Sequence, residues 1–331
     1  MALAPSIPEG MTVALVNTEL PDFPDIDDES LISKRILGHG GQAVVEHVTM
    51  AGGSFSAARK TYFVRSDKDP EAIHVEACME LHHMKKLSPH RHITTPILAY
   101  RHDDKYHIVM TPVADSGSLA AFHKKIRLNP DRATRQDLKT LEHCFGCLTM
   151  TINHIHTSSI RYKDVKLENI LVHQGELLFT DFGVAYDFSL SPDGCSTTEG
   201  YAGAQTWVNS APEVHEDGRR NRKSDMFSLG VVLYKVLSLF ELELAEPQPP
   251  GFYYLHIEKM IGKIETITSR GDGLIFPMAV YEVVIAMLKR DQTARISSTD
   301  ALAKLKSHEE LFCHGCWIEL GNGIEWLDTI S

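Results

Sequence analysis

Residues 224–240 read SDMFSLGVVLYKVLSLF, a helical stretch that is apolar on nearly every face. A helix of that kind shows no side to water, so the chain must build a large core around it. With 331 residues, 43 % of them apolar, it has the length for one such core or two moderate ones. A second helix is expected over 141–156, where Leu141, Phe145, Leu148, Ile152 and Ile155 form an apolar stripe together with Cys144 and Cys147. The run GLIFPMAVYEVVIAML at 273–288 is broken by Pro277 and Glu282 and reads as a buried turn and helix. No stretch reaches the 18 or so uncharged apolar residues that a membrane span requires.

From 31 to 110 the pattern is different. AVVEHVTM and SFSAARKTY flank Ala51-Gly52-Gly53, which predicts a hairpin, and ILAYR and YHIVM are short strands separated by Asp103-Asp104. Between them, DPEAIHVEACMELHHMKKL carries acidic residues early and lysines late, as a helix dipole favours. A boundary near 111–114 therefore separates a small β-rich lobe with one helix, 31–111, from a larger helical lobe, 112–308. Residues 1–30 include ELPDFPDIDDE, with three consecutive acidic residues and two prolines, and read as a flexible acidic leader. The net charge of −11 argues against nucleic-acid binding. No secretory signal is visible in 1–16, which lacks a basic residue and contains Glu9; the expectation is an intracellular protein, cytoplasmic or nuclear, with no membrane partner. Six cysteines are too few and scattered for a disulfide framework. Two Cys-x-x-Cys pairs, Cys144/Cys147 and Cys313/Cys316, lie about 165 residues apart, so packing in the core is expected for the first pair rather than a shared zinc ion.

Three segments carry chemistry. In LGHGGQAVV, at 37–45, Gly38 and Gly40 allow a tight turn whose amides either cradle phosphate or simply close a hairpin. Lys60 follows on the next strand, either facing solvent or buried against a carboxylate from the helix, Glu80 or Glu76. In RYKDVKLENILV, at 161–172, Asp164 can accept a hydroxyl proton, Lys166 can neutralise phosphate, and Asn169 offers an amide oxygen suited to Mg²⁺. Asp181, twelve residues after Asn169, would supply a second metal ligand.

Taken in order, these segments resemble a eukaryotic protein kinase from about Leu31 to His308. Gly38, Gly40 and Val45 match the glycine-rich loop, with Ala43 where the third glycine usually stands. Lys60 matches the strand lysine and Glu80 its helix partner, with Glu76 as the alternative. Residues 162–169, YKDVKLEN, match the catalytic loop; Asp-Phe-Gly stands at 181–183 and Ala-Pro-Glu at 211–213. Asp225 and Arg295 match the family's buried structural aspartate and the arginine partner of Glu213.

The resemblance implies an α+β, bilobal protein-kinase-like fold and phosphoryl transfer from ATP to protein hydroxyls. The loop Gly38, His39, Gly40 and Gly41 would cover the phosphates, and Lys60, held by Glu80, would bind them. Asn169 and Asp181 would hold Mg²⁺, with Asp164 as base and Lys166 on the γ-phosphate. Adenine would lie between Val45 and Ala58 above and Leu171 below, beside Met110 and the linker residue Val113. Lys166 and Thr206 point to serine/threonine substrates, while Asn209 replaces a usual tyrosine. The alternative is a pseudokinase acting as a nucleotide-binding scaffold, against which the intact Lys60, Asp164, Asn169 and Asp181 argue. Lys163 stands where arginine is usual; as a point charge it would anchor a phosphorylated 196–198 region weakly, so phosphorylation there would tune activity modestly. The basic run 218–223, GRRNRK, reads as a solvated loop or an import signal. The apolar terminus 309–331 would pack on the large lobe or dock a regulatory partner.

Overall fold

The computed structural model describes residues 31–40, 43–50, 55–63, 70–190, 198–199, 208–244, 251–271 and 273–322. The acidic leader, the Ala51-Gly52-Gly53 turn, Gly41, Thr206 and residues 196 and 197 lie outside them.

Strands β1 (Leu31–His39), β2 (Ala43–Met50), β3 (Ser56–Tyr62), β4 (Thr95–His102) and β5 (Lys105–Thr111) form one antiparallel sheet in the order β1-β2-β3-β5-β4. The β4–β5 turn places Asp103 and Asp104 at φ 49° and 57°, the left-handed pair that a two-residue hairpin of the right twist needs. Successive side chains of β5 serve opposite faces of the sheet. Ile108 and Met110 enter the main core, whereas Val109 joins Val48, Ala57, Leu98 and Tyr100 in a smaller cluster. Helix α1 (Pro70–Leu87) lies against β4 and β5 and buries Ile73, Ala77, Leu81 and Met84.

The second part is mostly helical. It runs through α2 (Leu119–Leu128), α3 (Arg135–Thr157), α4 (Pro212–Glu216), α5 (Arg222–Phe240), α6 (Ile257–Thr268), α7 (Met278–Met287), α8 (Ser298–Leu305) and α9 (His314–Asn322). Thr134 and Asp137 close a capping box at the start of α3, satisfying amides that the first helical turn leaves free. Asn221 and Ser224 do the same for α5. As its sequence requires, α5 is enclosed on all sides: Met226, Phe227, Leu229, Val231, Leu233, Tyr234 and Leu237 are fully buried. Among the described residues the lobe also has three short antiparallel pairs: β6 (Ile160–Arg161) with β9 (Tyr186–Asp187), β7 (Ile170–His173) with β8 (Glu176–Phe179), and β10 (Thr198–Glu199) with β11 (Arg219–Arg220). The two parts give the bilobal α+β architecture expected of the sequence. They meet where the loop after α1 rests on β8: the Thr94 amide donates to the Phe179 carbonyl at 3.0 Å and the Phe179 amide to the His92 carbonyl at 2.8 Å.

Candidate active site

Lys60 stands in mid-β3, paired with Val45 on one side and Ile108 on the other. Its ammonium donates to Glu80 Oε2 at 2.6 Å and to Asp181 Oδ1 at 2.9 Å. Of the two candidate glutamates it is Glu80, fully buried on α1, that reaches the lysine. Burial opposes the charge on Lys60, but Glu80 foremost, with Asp181, holds its pKa well above the usual lysine range. Tyr62 donates its hydroxyl to the same Glu80 oxygen. It sits two residues beyond Lys60, so the strand period puts both side chains on one face. That period was the signal by which the sequence could have revealed it.

The catalytic-loop residues converge on Asp164. Its Oδ2 accepts from Lys166 Nζ at 2.7 Å and from Asn169 Nδ2 at 2.8 Å. Its Oδ1 is buried and has no hydrogen-bond partner among the described residues. Burial pushes the Asp164 carboxyl above its ordinary value, against the pull of Lys166 and Asn169. Asn169 spends its amide nitrogen on Asp164, so its carbonyl oxygen is the atom that could hold a cation. Asp181 is at φ 62°, and 48 % of its side chain is open to solvent, while the Lys60 ammonium holds its pKa below the carboxylate norm. An amide oxygen and an accessible carboxylate are the hard donors a Mg²⁺ ion takes, so the residues present fit that ion.

The loop is held from below. Asp225 on α5 accepts from the Tyr162 amide at 2.9 Å and the Lys163 amide at 2.8 Å, and His156 Nε2 lies 3.0 Å from the same carboxylate. The Tyr162 ring is buried edge-on to Phe179 and Phe182, with centroids 5.2 and 5.1 Å away. Glu213 and Arg295 form a buried two-pronged pair, with Nη1–Oε1 2.7 Å and Nη2–Oε2 3.0 Å.

Among the nucleotide residues read from the sequence, Val45 lies opposite Lys60 and Ala58 opposite Met110 in the sheet. Val113 packs against the main core just beyond β5, and Leu171 lies on β7, two residues past Asn169. Gly38 and the exposed His39 end β1, and the Gly40 amide donates to the Ala43 carbonyl at 2.8 Å to close the loop. Asn209 is buried and accepts from Lys235 Nζ at 3.3 Å.

Two tertiary groupings were not read from the sequence. Asp187 on β9 accepts from Lys86 Nζ at 2.7 Å and lies 3.0 Å from His82 Nε2, while His83 Nδ1 donates to the Phe182 carbonyl at 3.1 Å. The last turns of α1, the element that carries Glu80, are thereby tied to the segment after Asp181. Lys163, at φ 72°, lines a small recess with Arg161 and Arg220. Burial, then repulsion from those two arginines, lowers its pKa to about 8. The signal was present in the basic residues at 161 and 218–223, but their convergence is tertiary.

Residues 31–305 match the protein kinase domain family. Serine/threonine-protein kinase PEPKR2 of Arabidopsis thaliana is 29 % identical over 291 residues, which is 87 % of this chain and 55 % of that protein. Serine/threonine-protein kinase Sgk1 of Danio rerio is 30 % identical over 162 residues, 49 % of this chain and 34 % of the relative. Serine/threonine-protein kinase Nek8 of Danio rerio is 27 % identical over 201 residues, 61 % and 26 % respectively. The chain thus spans from about half to a quarter of the length of these relatives. With its match to the domain running through both lobes, the chain belongs to the protein kinase domain family.

Proposed function

We propose that the protein transfers the γ-phosphate of ATP to serine or threonine hydroxyls of protein substrates. The observation that carries this reading is the Asp164 carboxylate: one oxygen accepts from Lys166 and Asn169, and the other is buried and unpartnered among the described residues. A buried acceptor left without a donor costs free energy, and a substrate hydroxyl would supply the donor. Burial raises the basicity of the carboxylate, which suits it to take the hydroxyl proton as the oxygen attacks phosphorus. Lys60, kept protonated by Glu80, would bind the α- and β-phosphates under the Gly38–His39–Gly40–Gly41 loop, and Lys166 would approach the γ-phosphate. Mg²⁺, held by Asn169 and Asp181, would supply charge neutralisation at the phosphates. Val45, Ala58, Met110, Val113 and Leu171 offer the apolar surface for adenine. Thr206 would contact the catalytic loop in the manner of serine/threonine-specific members.

Labelled ATP with Mg²⁺ and a general protein substrate tests this reading. Asp164→Asn keeps the shape of the site and removes the base, and is expected to lower the rate by roughly 10²–10⁴-fold. Equal labelling by the wild type and this variant would leave the chain a scaffold without phosphotransfer.

A further inference from the structure

Four buried side chains from three distant parts of the chain meet beside the junction of the two lobes. They are His92 from the loop after α1, Cys147 from mid-α3, Cys313 just before α9, and Cys316 in its first turn. Their ligand atoms all lie within 4.8 Å of one another, and none of the four residues is more than 5 % exposed. His92 Nε2 is 3.0 Å from Cys316 Sγ and 3.4 Å from Cys313 Sγ. We propose that His92, Cys147, Cys313 and Cys316 bind a structural zinc ion that fastens the C-terminal segment to the α3 helix and the loop after α1.

The donor set and its surroundings both point to zinc. Three thiolates and one imidazole make a closed, four-coordinate site of the structural kind. Tetrahedral bonds of about 2.3 Å to sulfur and 2.0 Å to nitrogen put the donors about 3.5–3.8 Å apart, close to the spacing the protein already holds. His92 Nδ1 donates to the Leu177 carbonyl at 2.6 Å, which leaves the lone pair on Nε2, the nitrogen that faces the thiols. The Cys313 amide donates to Cys147 Sγ at 3.2 Å, the sort of contact that stabilises a metal-bound thiolate. None of the four cysteines in and beside this site, Cys144 included, is in a disulfide.

The backbone around the cluster is shaped for the same purpose. A Cβ on Gly146 would fall 2.4 Å from the Leu311 carbonyl oxygen and 2.7 Å from the Phe312 ring, so glycine is what lets the C-terminal segment reach α3 beside Cys147. Between Cys313 and Cys316, a Cβ on Gly315 would fall 2.1 Å from the Arg91 guanidinium carbon. That close approach sets a positive charge beside a centre that, with three thiolates and Zn²⁺, carries a net negative one. The expectation that the cysteines are packing residues holds for Cys144, whose thiol turns back to the Thr140 carbonyl at 3.6 Å. Cys147 is likewise buried in the main core as expected, and the proposed site does not join the two Cys-x-x-Cys motifs whole. Only one cysteine of the first motif takes part, and the fourth ligand is a histidine 55 positions earlier.

The test is metal analysis of the full chain, produced in zinc-supplemented medium and purified without chelator. About one zinc per chain is expected, kept in Cys144→Ser and lost in Cys147→Ser and Cys316→Ser. Exchange of the wild-type protein with Co²⁺ should give the intense visible and sulfur-to-cobalt bands of a tetrahedral thiolate site. This second measurement decides the matter if the cysteine variants do not fold. Folded wild-type protein with no zinc and no cobalt–thiolate bands would overturn the proposal. So would zinc retained undiminished in both Cys147→Ser and Cys316→Ser.

Discussion

Arg295→Met should unfold the large lobe well below the wild-type temperature. The Arg295 side chain is wholly buried, and its guanidinium is fully used: two bonds to Glu213, and others to the carbonyls of Lys223 at 2.8 Å, Lys289 at 3.0 Å and Arg290 at 3.1 Å. Removing it strands a buried carboxylate whose remaining donor is Ser224 Oγ at 2.9 Å. Breaking a buried pair from one side costs about 3–5 kcal/mol, because the survivor keeps its desolvation cost and loses its compensation. For a domain of this size that is a fall in Tm of roughly 6–20 °C. Glu213→Leu should fall in the same range. The double variant should recover part of the loss, with a coupling of about 2–3 kcal/mol, since no charge is left unpaired. Recovery stays incomplete because three carbonyls still lack the guanidinium. Urea denaturation of the four proteins gives the cycle. A loss under about 1 kcal/mol for Arg295→Met, or strictly additive single effects, would refute the reasoning.

Asp187→Asn should weaken the tie between α1 and β9. Burial pushes the Asp187 carboxyl up, but Lys86, Ser189 and His82 pull its pKa down to about 2. Its contribution is therefore complete above about pH 4 and lost as pH falls through about 2. The shift corresponds to about 2 kcal/mol, reduced to about 1 kcal/mol because Lys86 and His82 are partly open to solvent. Denaturation curves should separate wild type from variant at pH 7 and converge as pH falls below about 2; a difference undiminished at pH 2 would contradict this. Lys163 shares that rise of stability with pH, but its contribution is destabilising where that of Asp187 is stabilising. With its pKa at about 8, the unfolded chain holds the extra proton between about pH 8 and 10.5, so stability due to this group rises across that window. Lys163→Met should stabilise phosphatase-treated protein by about 1–2 kcal/mol at pH 7 and by less above pH 9; destabilisation at pH 7 would sink the account.

The bilobal fold was legible because it rests on local signals. The strand pattern before 111 and the all-apolar helix at 224–240 each announce their element without tertiary knowledge. The meeting of the candidate-site trio was legible for a similar reason: Asp164, Lys166 and Asn169 lie within six residues, so the chain itself keeps them together. The sequence left Glu80 and Glu76 as alternatives for Lys60, and only the docking of α1 on the sheet separates them. Arg161 and Arg220 around Lys163 were not legible, since they converge across 59 residues of chain. His92 and Cys316 lie 224 positions apart, and no periodicity links positions so distant. Lys163, a point charge where arginine is usual, shares its recess with Arg161 and Arg220, a grouping that its neighbours in sequence do not announce.

Phosphoamino-acid analysis of a general protein substrate, labelled from ATP by the purified chain in Mg²⁺, tests the central claim most directly. The account predicts label on serine and threonine, abolished by Asp181→Asn, which removes the accessible carboxylate proposed to hold Mg²⁺. Label confined to tyrosine, or transfer undiminished in Asp181→Asn, would contradict it.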